Sequence, residues 1–94
     1  MKICFDVDGT LIYDERVTNL ADTPRYEVID LLRSFESLGA EIYVWSGCGI
    51  DYAERWAYKL GLTGFVIVVE KGSFIPDIAV DDEEVQLGKV NIKV

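Results

Sequence analysis

Histidine is absent from the chain. That excludes His-ligated zinc sites and every nucleophile triad that needs an imidazole base. Cysteine is scarce: Cys4 falls in an apolar stretch and Cys48 among glycines. Two thiols in a chain without secretory features are weak grounds for a disulfide. No apolar run reaches membrane-spanning length, and the N-terminus lacks a signal peptide's hydrophobic core. The chain therefore reads as cytoplasmic, with no membrane partner. Basic residues are few, 9 against 17 acidic ones, for a net charge of −8. A long phosphate backbone would be repelled at a distance, which argues against non-specific nucleic-acid binding. Catalysis, if any, is left to carboxylates, hydroxyls, lysine and a hard metal ion.

Half of the 94 residues are hydrophobic and 12% are aromatic, so the chain reads as one globular domain over 1–94. That length lies near the lower end of what buries a self-sufficient core. The apolar run before Asp6-Val7-Asp8-Gly9-Thr10 predicts a first strand over 2–7. A loop without hydrophobic period follows over 13–23. Thr23-Pro24 predicts a helix start, with Thr23 capping and Pro24 at the first helical position. Val28, Leu31, Leu32, Phe35 and Leu38 recur at helical spacing, and Gly39 stops the helix. A second strand is predicted over 41–46. After Gly47-Cys48-Gly49, Asp51 and Glu54 predict a capping box opening a helix over 51–60, with Tyr52, Trp56 and Leu60 on its buried face. The β-branched run 65–69 predicts a third strand buried on both faces. Short strands over 78–80 and 90–94 complete an α/β pattern of parallel strands with helices on the sheet faces.

Ligands bind at the carboxyl ends of the strands in such sheets. The first strand ends in Asp6 and Asp8, which alternation places on one side. The second ends in Ser46-Gly47, the third in Glu70-Lys71, the fourth in Asp81-Asp82. Singly, each has a plain explanation. Asp8-Gly9 is a common turn, although that leaves Asp6 unexplained. Ser46 can begin a loop, Lys71 can be solvated, and Asp81-Asp82 can start an acidic turn running on through Glu83 and Glu84. Together they bring a hydroxyl, a cation and four carboxylates to one rim, the set that phosphoryl transfer uses. Oxygen-only ligands suit Mg²⁺.

The pattern resembles the haloacid dehalogenase (HAD) superfamily of phosphotransferases over residues 1 to about 82. Asp6-Val7-Asp8-Gly9-Thr10 matches its Asp-x-Asp-Gly-Thr motif, whose four fixed residues would recur by chance in on the order of one chain in a thousand of this length. Ser46 after an apolar strand, the lone Lys71, and Asp81-Asp82 after Ile78-Ala79-Val80 match the other three motifs in order. The resemblance implies a three-layer sandwich with a mostly parallel sheet in the order 5-4-1-2-3. It also implies a Mg²⁺-dependent phosphatase acting through an aspartyl-phosphate. Asp6 would be the nucleophile and Asp8 the general acid and base. Thr10, Ser46, Gly47 and Lys71 would hold the substrate phosphate. Asp6, Asp8 through its carbonyl, and Asp81 or Asp82 would hold the metal.

Two features depart from that family's pattern. Leu11 to Thr23 is too short for a cap domain, so an open site is expected. Its substrate would be a small phosphate ester or a phosphate on something larger, with a homodimer or docking partner covering the rim. Arg16 and Arg25, flanking the first loop, are candidates for extra contacts to an anionic substrate. Between Lys71 and Asp77 there is also no room for the usual helix. Strands lie about 4.8 Å apart and an extended residue reaches about 3.3 Å, so the link closes only if the third and fourth strands are brief. The fifth strand is left open between parallel and a hairpin at Gly88. A catalytically silent binding module is the main alternative. A receiver-like phosphoacceptor switch fits less well, since its hydroxyl and lysine would follow later strands.

Overall fold

In β1 (Lys2–Asp6) alternate side chains point to opposite faces, and the two faces of the sheet have different fates. Ile3 and Phe5 join Ile42, Val44 and Val80 in the main core, while Cys4 lies with Trp45 and Ala79 in a smaller cluster on the other side. The structure, a computed structural model, describes residues 1–16 and 19–94. Val17 and Thr18, within the loop expected over 13–23, lie outside the described residues. The remaining elements are α1 (Tyr26–Ser37), β2 (Glu41–Trp45), α2 (Ile50–Lys59), β3 (Ile67–Val68), β4 (Ile78–Asp81) and β5 (Val90–Lys93). Their five strands form one sheet in the order β3-β2-β1-β4-β5, the order 5-4-1-2-3 read in reverse.

Every pairing is parallel, β4 with β5 included, so the hairpin alternative at Gly88 is overturned. Gly88 serves a different end. A Cβ there would stand 2.8 Å from the Ala79 amide nitrogen, so glycine lets the β4–β5 connection press against the sheet. The Asn91 side chain clamps that connection, accepting from the Leu87 and Gly88 amides and donating to the Gly88 carbonyl.

Both helices pack into the main core, through Val28, Ile29 and Leu32 of α1 and Ala53 and Ala57 of α2. The small alanines let α2 approach closely, with Tyr52, Trp56 and Leu60 flanking them partly buried rather than forming the centre of the face. Leu38, expected on the apolar face of α1, is past its last turn and 84% exposed. Neither predicted cap forms. Arg25 stands at the start of α1 and Gly49 at the start of α2, both without a side-chain cap bond. The Thr23 hydroxyl instead donates to the Leu20 carbonyl within the loop. The run 65–69 contributes only a two-residue strand, and Ile67 is 51% exposed. Its place at the sheet edge, with β2 as its neighbour, explains why it is not buried on both faces.

The Rossmann-like three-layer arrangement is thus present in reduced form. Helices make one outer layer, and two non-helical connections make the other. The β3–β4 crossover closes because β3 has two residues and β4 four, the brevity that the link requires. Along it, Phe74 packs its ring 4.8 Å from Tyr43 and 5.9 Å from Trp45, taking the place a helix would fill. Asp77 then fastens the arriving chain to β1: its amide donates to the Lys2 carbonyl and its carboxylate accepts from the Lys2 amide.

Phe74 is therefore expected to carry much of that layer. Phe74→Ala should cost about 2–3 kcal/mol, below the roughly 3–5 kcal/mol of a fully buried aromatic truncation because the ring is only partly buried. Ile75→Ala, at a side chain 70% exposed, should change stability by less than about 0.5 kcal/mol. Equal urea midpoints for the two variants would contradict this packing role.

Candidate active site

The turn after β1 is built by one carbonyl. Val7 O accepts from the amides of Thr10, Leu11 and Ile12 at 3.1, 3.0 and 3.2 Å. Gly9 sits inside this turn at φ +79°, where L side chains are strained, and any Cβ on it would fall on the Asp82 carboxylate. Glycine here both makes the turn and admits Asp82. Arg25 supports it from outside, its Nη1 donating 2.7 Å to the Gly9 carbonyl.

Register does the rest. Phe5 pairs with Val80, so the next residues, Asp6 and Asp81, end their strands side by side. Both are buried, at 6% and 3% exposure. Carboxylate oxygens of Asp6, Asp81 and Asp82 lie within 4.8 Å of one another. Lys71, in the turn after β3, reaches over the end of β2 to sit 3.0 Å from Asp6 Oδ1 and 3.3 Å from Asp81 Oδ2. Asp81 Oδ1 also accepts from the Glu83 amide at 3.0 Å. Asp82 pairs with Arg16, and its Oδ1 lies 3.4 Å from the Thr10 hydroxyl.

These charges are not fully balanced. Burial, and then the neighbouring Asp81, push Asp6 up to about 7 from an ordinary value of 3.8, against the pull of Lys71. Asp81 is raised as well, by burial first. Burial would lower the Lys71 ammonium, but Asp6 and Asp81 outweigh it and hold it above its ordinary value. Beneath them, burial and the Asp6 charge drive the Cys4 thiol far up, which makes it inert packing.

The expected site residues do not all converge. A cavity of about 220 Å³ is lined by Asp6, Asp8, Gly47, Lys71, Asp81 and Asp82, together with Asp14, Arg16, Cys48 and Glu83. Asp8 shares this cavity with Asp6, but its carboxylate is not in the three-acid cluster. Its Oδ1 instead accepts a 2.6 Å bond from the Tyr52 hydroxyl on α2, and Cys48 Sγ lies 3.7 Å from Oδ2. Ser46 is buried, with Oγ accepting from the Cys48 amide at 3.0 Å, so it shapes the loop while keeping a proton to donate. Thr10, expected to hold phosphate, is fully buried and faces Asp82 rather than the cavity.

Tyr52 and Asp14 are the site residues that the sequence reading missed. Tyr52 reads there as core, and its one signal is a phenol at the start of a helix that follows a strand end. Burial and the bond to Asp8 push that phenol up to about 12, so it stays a donor at neutral pH. Asp8, Arg16, Tyr52 and Glu83 also wall a second cavity of about 540 Å³, with Asp14, Glu15, Ala21 and Asp22. No family model, curated protein or solved structure matches the chain.

The raised Asp6 has a consequence for stability. With a folded value near 7 above an unfolded value near 3.8, folding takes up a proton between them, and stability falls as pH rises through that window. Asp6→Asn removes this cost, so the variant should be about 1–3 kcal/mol more stable than wild type at pH 8 without metal. The gap should close toward pH 4. Thermal melts showing wild type the more stable at pH 8 would mean that Lys71 already neutralises the site.

Proposed function

We propose that the chain is a Mg²⁺-dependent phosphomonoesterase working through an aspartyl-phosphate on Asp6. The observation that carries this reading is the pairing of three clustered, largely buried carboxylates with Lys71, while Asp8 lines the same cavity. Packing gives no reason to bury repelling acids together, and an all-oxygen donor set suits a hard divalent cation. Asp6, Asp81 and Asp82, with the Asp8 carbonyl, would hold it. When bound, the ion offsets the carboxylate charges and stabilises charge on the phosphoryl oxygens.

The chain's own residues then divide the work. An Asp6 oxygen attacks phosphorus, and the bond from phosphorus to the leaving oxygen breaks. Asp8, oriented by the Tyr52 hydroxyl, delivers a proton to that oxygen. In the second step a water attacks the aspartyl-phosphate, Asp8 takes its proton, and the bond to Asp6 breaks to release inorganic phosphate. Lys71 balances charge beside Asp6, and Gly47 offers a backbone wall without a side chain. The substrate is a phosphate monoester, with an open cleft on the leaving-group side.

Mg²⁺ should be required for turnover of p-nitrophenyl phosphate, with chelation abolishing it. Asp6→Asn should leave almost none. Asp8→Asn should release about one equivalent of nitrophenol and then stall as the phosphate adduct, because a good leaving group needs no proton but the attacking water still loses one. On an alkyl phosphate the same variant should be slow from the first turnover. Rapid quench and intact mass read both. Normal turnover by Asp8→Asn, or a burst from Asp6→Asn, would reverse the two roles.

A further inference from the structure

Arg16 stands at the junction of the two cavities and lines both. Its Nε donates 2.8 Å to Asp14 Oδ2, and its guanidinium pairs with Asp82. Asp82 itself has a side chain only 9% exposed, with its other oxygen toward Thr10. Both Asp82 oxygens are therefore engaged by the chain's own donors. The two counter-cations of the cluster differ in freedom. The Lys71 side chain is 29% exposed and bridges two buried acids, whereas Arg16 is 60% exposed and is tethered to Asp14, two residues away.

A carboxylate oxygen cannot serve a guanidinium and a divalent cation in full at once, and the two cations repel each other. Displaced from Asp82, the guanidinium would still be held at the wall by Asp14. There it would face the cavity that contains Asp6 and Lys71. A planar fork of donors is suited to two phosphoryl oxygens together. Building on the metal-dependent reading above, we propose that Arg16 exchanges partners: it neutralises Asp82 in the metal-free protein, and it contacts the phosphoryl oxygens of the substrate once a divalent cation takes Asp82. Arg16 thus restrains metal entry and contributes to phosphate binding afterwards, and the two events favour each other by linkage.

Calorimetry with Mg²⁺ alone, and with inorganic phosphate at saturating Mg²⁺, tests this on wild type, Arg16→Gln and Arg16→Lys. Arg16→Gln should bind Mg²⁺ about fivefold or more tighter, and phosphate about tenfold weaker, than wild type. Arg16→Lys keeps the charge but not the fork that spans Asp14 and Asp82, so it should also bind Mg²⁺ tighter than wild type. Unchanged or weaker Mg²⁺ binding by Arg16→Gln would overturn the exchange. So would wild-type Mg²⁺ affinity in Arg16→Lys, which would reduce Arg16 to a distant charge. Undiminished phosphate affinity in Arg16→Gln would overturn the second half. These shifts in the variants, together with a wild type that does not hydrolyse p-nitrophenyl phosphate, would refute the phosphatase reading while supporting the exchange.

Discussion

The burial of Asp6 beside Asp81 is the constraint around which this molecule is arranged. Two parallel strands that end level, with Phe5 opposite Val80, leave two carboxylates shoulder to shoulder at a poorly hydrated rim. Burial and mutual repulsion both disfavour their charge. The nearby architecture answers that problem: Lys71 reaches across from the far side of β2, and the Glu83 amide turns toward Asp81. Gly9 clears space for a third acid, which Arg16 meets from the loop. A site that only needed solubility would have dispersed these charges. This one concentrates them and then supplies two counter-charges and a backbone amide from three separate connections.

The helical layer explains how so short a chain holds that arrangement. α1 and α2 bury one face of the sheet and leave the other to the connections after β3 and β4. The acids and Lys71 belong to strand ends and turns, but Asp8 is tied to α2 through Tyr52. The general acid proposed here is thus set by the helical layer, and the nucleophile by the sheet.

The strand-end positions of Asp6, Ser46, Lys71 and Asp81 could be read from residues, through alternation and the strand pattern; chain reach makes brief third and fourth strands a condition for the short link, and the strand order comes only with the family resemblance. What could not be read depended on three-dimensional neighbours. Ile67 looks buried in a β-branched run, and only its place at the sheet edge exposes it. Thr23, Asp51 and Glu54 carry capping chemistry, yet the loop geometry sends the Thr23 hydroxyl to Leu20 and leaves Gly49 before α2. Thr10 is expected at the phosphate only through the family resemblance, and the turn around Val7 O turns it inward to Asp82. The hairpin at Gly88 stays open as an alternative in the sequence because a close approach of backbone to sheet leaves no local signature beyond the glycine itself.

The crossover that carries Phe74 also begins beside Lys71 and ends where Asp77 is fastened to Lys2. One short segment, folded into a turn at its start and held on the sheet by Phe74, therefore joins the lysine to the strand that delivers Asp81. Surface connections ordinarily absorb added or lost residues with little effect. This one is fastened at the middle and at both ends, and works as a spacer between two charges. Length variation in descendants of this chain should spare the stretch from Lys71 to Asp77.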